Sequence, residues 1–230
     1  MRNVHAIRKY GVGLPVSFKG YTSTSTLEWC KFHAFLRAIS ELSKDSITRK
    51  IKSMKKIILY IAASIDGYIA EAEGSTEWLE DYPITEKMNY GYNEFMASVD
   101  TIIMGGRSYR EVLNMDIIGH YKDRQIYVVT RGWTEKTVDN VDFIMDNVIN
   151  RIRQLRDGAG KNIWLFGGGK LTAMLLEADL IDEMRICYIP VILGEGIPLF
   201  PKQPKESKWK LIESKAYNSG ILMVKYQRKK

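Results

Sequence analysis

The stretch Ile163-Trp-Leu-Phe-Gly-Gly-Gly-Lys-Leu-Thr172 decides how the rest of the chain is read. Four apolar residues, Ile163 to Phe166, run without interruption into Gly167, Gly168 and Gly169, and Lys170 to Ala178 then reads as the opening of a helix. The pattern predicts a strand, a glycine turn and a helix. Consecutive glycines reach backbone torsions closed to other residues and let a ligand come close to the chain. The free N–H groups at the start of the next helix then attract an anion, worth about 0.3–1 kcal/mol at an exposed position and up to ~2 kcal/mol when partly buried. A phosphate is the natural guest. Two named phosphate motifs are excluded, because Trp164 stands where the first glycine of a Walker A loop belongs and Leu171 where its Ser or Thr belongs. Thr172 likewise replaces the last glycine of the dinucleotide fingerprint. A corner turned by three glycines with no ligand fits this stretch equally well, so other stretches must decide.

Composition bounds the answer. With 230 residues, 45% of them hydrophobic, the chain can bury one good core, and no apolar run reaches the ~20 residues of a membrane span. The net charge of +7 is concentrated at one end. Residues 1–53 hold ten Lys or Arg and three Asp or Glu, which against totals of 34 and 27 leaves 24 of each in 54–230. The main body is therefore neutral, and overall charge gives no support to a nucleic-acid face there. Cys30 and Cys187 form neither a disulfide framework nor a metal-ligand spacing, so no metal is expected and a reducing, cytoplasmic setting fits.

Residues 1–53 also differ in pattern: Tyr21 to Thr26 is polar and of low complexity, while Leu27 to Leu42 has apolar residues at helical spacing. A basic, acid-poor, Ser/Thr-containing N-terminus can resemble a transit peptide. The simpler expectation is a basic extension, poorly ordered or not native, with Met54 as the original start and 54–230 as the domain.

From Ile57 to Ala63 the chain is β-branched and apolar on both faces, as a buried strand of a parallel sheet would be. Asp66-Gly67 then signals a turn, and Gly74 to Trp78 a polar loop. Glu86 to Val99 reads as a helix, and Thr101 to Met104 as a strand that ends in Gly105-Gly106-Arg107-Ser108, with another helix from Tyr109. This is a second strand-to-glycine junction, now with an Arg and a hydroxyl. Gln125 to Val129 is a third strand, ending in Thr130 and Arg131; Asp142 to Met145 is a short one, and Asp146 is expected to cap a helix running to Arg156. Asp182 to Ile189 is a strand stopped by Pro190, Val191 to Phe200 an apolar loop, and Trp209 to Ala216 with Ile221 to Gln227 a terminal hairpin. Strands alternating with helices predict an α/β fold with a central, mostly parallel sheet and a C-terminal antiparallel hairpin. Ligands of such sheets lie outside the carboxyl ends of the strands, where all three glycine or Thr-Arg segments fall.

Five motifs in this order carry a family resemblance: Ala62-Ala-Ser-Ile-Asp-Gly-Tyr-Ile-Ala70, Val99-Asp-Thr-Ile-Ile-Met-Gly-Gly-Arg-Ser-Tyr109, Tyr127-Val-Val-Thr-Arg131, Phe166-Gly-Gly-Gly-Lys-Leu171 and Val191-Ile-Leu-Gly-Glu-Gly-Ile-Pro-Leu-Phe200. Together they span nearly all of 54–230. The chain resembles the dihydrofolate reductase-like superfamily, and within it the RibD C-terminal family of riboflavin-biosynthesis reductases. The resemblance implies the three-layer fold of that superfamily, a homodimer, and an NADPH-dependent reductase acting on a C=N or C=O of a small pterin-, pyrimidine- or ribosylamine-like substrate, in the manner of a 5-amino-6-(5-phosphoribosylamino)uracil reductase. By position, Gly105, Gly106, Arg107 and Ser108 would hold the pyrophosphate together with Gly167, Gly168, Gly169, Lys170, Leu171 and Thr172. Thr130 and Arg131 would meet the adenosine 2′-phosphate, for which the planar fork of Arg is suited. Ala63 would lie near the nicotinamide, Trp78 over the cofactor, and Thr76 toward the substrate. Asp66, or a water held by Thr76, is the candidate proton donor, with a turn-forming role for Asp66 the competing reading.

The departures matter as much. Gly106 stands where many relatives have Arg, so either Arg107 supplies that charge or it is missing. Asn89 occupies the place of the pterin-binding carboxylate of dihydrofolate reductases, with Glu86 and Glu94 nearby but misplaced, and Phe166 occupies the place of the substrate-binding Glu of the riboflavin reductases. Cofactor binding is thus better supported than either known substrate. A dihydrofolate reductase proper and a non-catalytic NADPH-binding protein stay open as alternatives, and a nucleic-acid partner recruited by the basic extension is the remote one.

Overall fold

A computed structural model describes residues 54–82, 84–85, 89–133, 138–201 and 206–229. The predicted extension over 1–53, with Cys30, lies outside the described residues, as do Glu86 and the start of the helix expected there.

Among the described residues ten strands form in chain order: β1 (Ile57–Ser64), β2 (Tyr68–Ala70), β3 (Val99–Gly105), β4 (Gln125–Val129), β5 (Val141–Ile144), β6 (Asn162–Gly167), β7 (Glu183–Ile189), β8 (Ile197–Pro198), β9 (Trp209–Ala216) and β10 (Leu222–Arg228). Four α-helices accompany them among the described residues: α1 (Tyr92–Ala97), α2 (Gly106–Asn114), α3 (Val148–Asp157) and α4 (Gly169–Glu177). The main sheet has the order β5-β4-β3-β6-β1-β7-β10-β9. Its first six strands are parallel, and β10 and β9 close it antiparallel. Strands β2 and β8 form a separate two-stranded pair.

The composition of β1 explains its central place. Ile57, Ile58 and Leu59 are at most 1% exposed, and each such side chain contributes about 1.5–3 kcal/mol of burial. Side chains alternate across the sheet, so one face buries Ile58, Ile102, Ile126 and Trp164 beneath α1 and α2, and the other buries Leu59, Ile103, Ile163 and Leu165 beneath α3 and α4. These two cores make the fold three layers, the dihydrofolate reductase-like α/β architecture expected from the sequence.

Boundaries differ from expectation in three places. The helix read from Glu86 is described only as the short α1, because Tyr90 (φ 52°) and Gly91 (φ 79°) are left-handed and cannot continue a right-handed helix toward the N-terminus. Asp146 does not cap α3; Asn147, itself left-handed at φ 44°, holds that position without a side-chain cap bond. Helix α2 begins at Gly106 rather than Tyr109, since Gly105 remains extended and the chain passes from strand to helix with no intervening loop. The polar loop before Trp78 contains a short 3-10 turn, Glu77–Leu79. Among the described residues no helix is long and apolar enough to cross a membrane.

Candidate functional site

Strands β3 and β6 lie side by side, and the helices that follow them leave in opposite directions. Helix α2 sends Tyr109 and Val112 into the first core, while α4 sends Leu171, Leu175 and Leu176 into the second. A crevice opens between two parallel strands where their crossovers diverge in this way. The register pairs Met104 with Gly167, so the two glycine junctions meet at its mouth. A Cβ on Gly168 would stand 3.4 Å from the Ser108 hydroxyl, and one on Gly106 would stand 3.0 Å from Oγ1 of Thr130. Three segments far apart in sequence are thus in van der Waals reach.

The backbone at this edge needs glycine. Gly167 and Gly168 have φ of 131° and 95°, torsions that L side chains rarely adopt. Neither α2 nor α4 has a side-chain cap at its start, so the first N–H groups of both helices face the crevice edge unengaged by a capping side chain. Arg107, Arg131 and Lys170 are exposed at the rim, and Ser108 and Thr130 are half-buried. The Thr130 hydroxyl donates to the Gly132 carbonyl at 2.9 Å, which fixes the turn that carries Arg131. Two adjacent helix starts with three cations around them form an anion cradle, and this donor set fits the phosphates of a dinucleotide.

Not every expected contact is made by a side chain. Leu171 and Thr172 are buried, so only their backbone can meet a ligand in the crevice. Ala63 is fully buried toward the α3 and α4 layer, whereas Ala62 and Phe166 both pack against the core of the α1 and α2 layer. Trp78 packs against that same core, and the Thr76 carbonyl accepts the Leu79 N–H at 2.9 Å at the start of the 3-10 turn. Phe166 is half-buried, with its ring 4.9 Å from Trp164 and 6.2 Å from Tyr121.

Asp66 is a latch. Its carboxylate accepts the Ser64 hydroxyl at 2.6 Å and the backbone N–H groups of Leu193 at 3.2 Å and Gly194 at 2.7 Å. Ser64 donation, opposed by partial desolvation and joined by the two backbone donors, holds this exposed carboxyl below its ordinary value. Those donors favour the charged form, opposite to the need of a proton donor, and support the turn-forming reading of Asp66. The latch joins the Ala62–Ala70 and Val191–Phe200 motifs, which also share the β2–β8 pair and a bond from the Leu199 N–H to the Gly67 carbonyl at 2.8 Å. Ser64 and Gly194 stand in two of the quoted motifs, but the sequence assigned neither a role, because their meeting with Asp66 is long-range.

The fold agrees with that of known proteins. Residues 111–223 match the RibD C-terminal domain. The chain is 35% identical over 167 residues to YwjB, an uncharacterized protein of Bacillus subtilis (strain 168), an alignment covering 73% of this chain and 95% of YwjB. The crystal structure of a protein from Shewanella sp. PV-4 ascribed to riboflavin biosynthesis is 30% identical with a TM-score of 0.68, covering 76% of this chain and 99% of that one.

The chain belongs to the RibD C-terminal domain family.

That membership also explains the broader likeness in fold. Dihydrofolate reductase from Enterococcus faecalis, complexed with NADP(H), superposes with a TM-score of 0.53 at 15% identity, over 76% of this chain and 97% of that one. A RibD C-terminal domain therefore has the dihydrofolate reductase-like sheet here, with the glycine junctions of β3 and β6 at its switch point.

Proposed function

We propose that this protein is an NADPH-dependent reductase that transfers a hydride to a C=N or C=O carbon of a small pterin-, pyrimidine- or ribosylamine-like molecule. The observation that carries the reading is the pair of uncapped helix starts, α2 and α4, side by side at the switch point with Arg107 and Arg131 at the rim. Family membership supports the reductase class. NADPH would supply the hydride, and the chain's part is to bind and orient it. The N–H groups at Gly106–Ser108 and Gly169–Leu171 would hold the pyrophosphate, and Arg131 the 2′-phosphate. Ala62, Phe166 and Trp78 form the apolar surroundings in which the reacting carbon would be placed and water excluded. The reading includes a homodimer, which light scattering on the eluted protein would test; a monomer at all concentrations removes that part.

Parallel calorimetric titrations with NADPH and NADH test the core of the reading. Saturable binding that favours NADPH, followed by NADPH oxidation in a screen of pterins, pyrimidines and simple carbonyls, supports it. Binding of neither nucleotide by folded protein removes it, and binding without turnover of any compound leaves a cofactor-binding protein instead.

A further inference from the structure

Among the described residues no helix follows α4, so the outer strands β10 and β9 gain no helix of their own on the α3 and α4 side of the sheet. The registers put Tyr188, Leu222 and Ala216 in one row on that face, Ile186, Val224 and Ser214 in the next, and Met184, Tyr226 and Leu211 in a third. Tyr188, Val224 and Tyr226 pack against the second core, which fixes the side. Leu222 is 41% exposed and Leu211 50%, and Ser214 and Ala216 are exposed beside them. Beyond the first row an apolar groove of about 310 Å³ continues the face, lined by Ile65, Tyr188, Pro190, Gly220 and Leu222.

Charge is sorted between the two faces. Lys210, Glu213, Lys215 and Lys225 all point to the α1 side, since they alternate with the residues just named. The one charge of β9 and β10 left on the uncovered side is Arg228, at its far end, where it is paired with Asp179 and lies 5.6 Å over the Trp209 ring. Seven or eight residues at ~3.3 Å each, on strands ~4.8 Å apart, give three strands a footprint of ~25 by ~15 Å. A contiguous apolar area of that size marks a contact surface.

The free edge of β9 is closed to a second copy. The Tyr217 N–H bonds the Ile221 carbonyl and the Lys229 N–H bonds the Lys208 carbonyl, so residues 217, 215 and 213 and residues 210 and 208 turn their backbone groups toward β10. The groups left pointing outward are those of Trp209, Leu211, Ser214 and Ala216, with the bulge at Ile212 between the two pairs. Every antiparallel self-pairing that joins two adjacent rungs sets Lys215 opposite Lys215, Lys210 opposite Lys210, or the one opposite the other. Like charges directly opposite are destabilising, and lysines and bulges are the usual guards of an exposed edge. The edge is therefore guarded while the face beside it is not.

We propose that the uncovered face of β7, β10 and β9 is the contact surface for a second copy of this chain, packed face to face about a two-fold axis. In a two-fold pair a patch meets itself, so a patch of one sign would repel its twin and a charge-free one does not. Leu211 and Leu222 protrude while Ser214 and Ala216 leave room, the relief that lets two identical sheet faces interdigitate. The inference names the surface of the homodimer included in the reading above and rests on that part of it alone, not on the cofactor or the reaction.

Sedimentation equilibrium on the full chain tests it, with Leu211→Lys, Leu222→Lys and, on the opposite face of β9, Lys210→Ala. The expected result is a dimer whose dissociation constant rises at least about tenfold in each leucine variant and stays unchanged in Lys210→Ala. Raising the salt from about 0.1 to about 0.5 M should not weaken the pair, as it would a contact made by exposed charges. Both leucines are half exposed, and cooperative thermal unfolding checks that the variants fold; Ala216→Lys, at a small exposed residue of the same face, gives the same readout if one does not. A dimer that persists in the folded face variants overturns this surface and leaves the homodimer, as does a dimer weakened equally by Lys210→Ala. A monomer at all concentrations overturns both, and a dimer that binds neither NADPH nor NADH removes the reductase reading while this inference stands.

Discussion

The Asp66 carboxylate accepts the backbone N–H of Gly194 at 2.7 Å, a bond between residues 128 positions apart. It ties the turn after the central strand to the loop before β8, and β8 in turn packs against the glycines of α4. A Cβ on Gly169 would come within 2.8 Å of the Pro198 carbonyl oxygen. The crevice edge is therefore one connected structure built from three separate motifs.

Asp66→Asn should loosen the 191–200 loop without unfolding the protein, read as faster amide exchange at Leu193 and Gly194. Ser64 donation, together with the two N–H groups, depresses the carboxyl in the folded state, so its contribution is complete above the unfolded value and disappears as pH falls through the lower folded value. Loop protection in the parent protein should accordingly drop below the ordinary carboxylate range, while the Asn variant shows no such step. An identical acid profile in both proteins would remove the latch.

Gly169→Ala should cost about 1–3 kcal/mol, the usual range for overpacking, because the obstacle is a backbone carbonyl and not the end of a flexible side chain. Urea denaturation measures this. A neutral or stabilising result would mean that β8 yields freely.

Arg131→Ala should lower NADPH affinity about tenfold or more and leave NADH affinity nearly unchanged, since a guanidinium that engages a phosphate matters only to the nucleotide that carries it. Equal losses for both nucleotides would place Arg131 on a shared part of the ligand.

Glu183→Gln should destabilise the fold by about 3–5 kcal/mol, the range for breaking a buried ion pair. The carboxylate is 4% exposed and faces Lys56, Arg185 and Lys225, which would be left without their shared anion. Thermal and urea unfolding would both register the change; a loss below about 1 kcal/mol, as for a surface pair, would contradict it.

Burial pushes the Cys187 thiol up to about 11, with the Tyr60 hydrogen bond only partly offsetting it. The thiolate is the nucleophile, and at pH 8 about one thiol in a thousand would be ionised. Native protein should leave Cys187 unalkylated by iodoacetamide and denatured protein should not, as peptide mass spectrometry would show.

The sequence by itself determined the elements and the chemistry of their ends. Apolar β-branched runs such as Ile57 to Ala63 and Ile163 to Phe166 can satisfy both faces only as buried strands, and the glycines at 105–106 and 167–169 mark where the backbone must turn. These are local properties of side-chain shape and backbone sterics, which is why five motifs sufficed to name the family. What lay outside local reach was decided by packing. The shortness of α1 follows from two left-handed residues, Tyr90 and Gly91; Gly91 is a residue suited to that torsion, but nothing in the composition of 86–99 announces Tyr90. Only the sheet order β3-β6-β1-β7-β10-β9 brings Gly168 to Ser108, Asp66 to Gly194, and Tyr188, Leu222 and Ala216 into one row. Register between strands is a long-range property, set by which faces must be buried together, so the crevice and the charge-free face belong to the tertiary structure while the residues that line them were already legible in the chain.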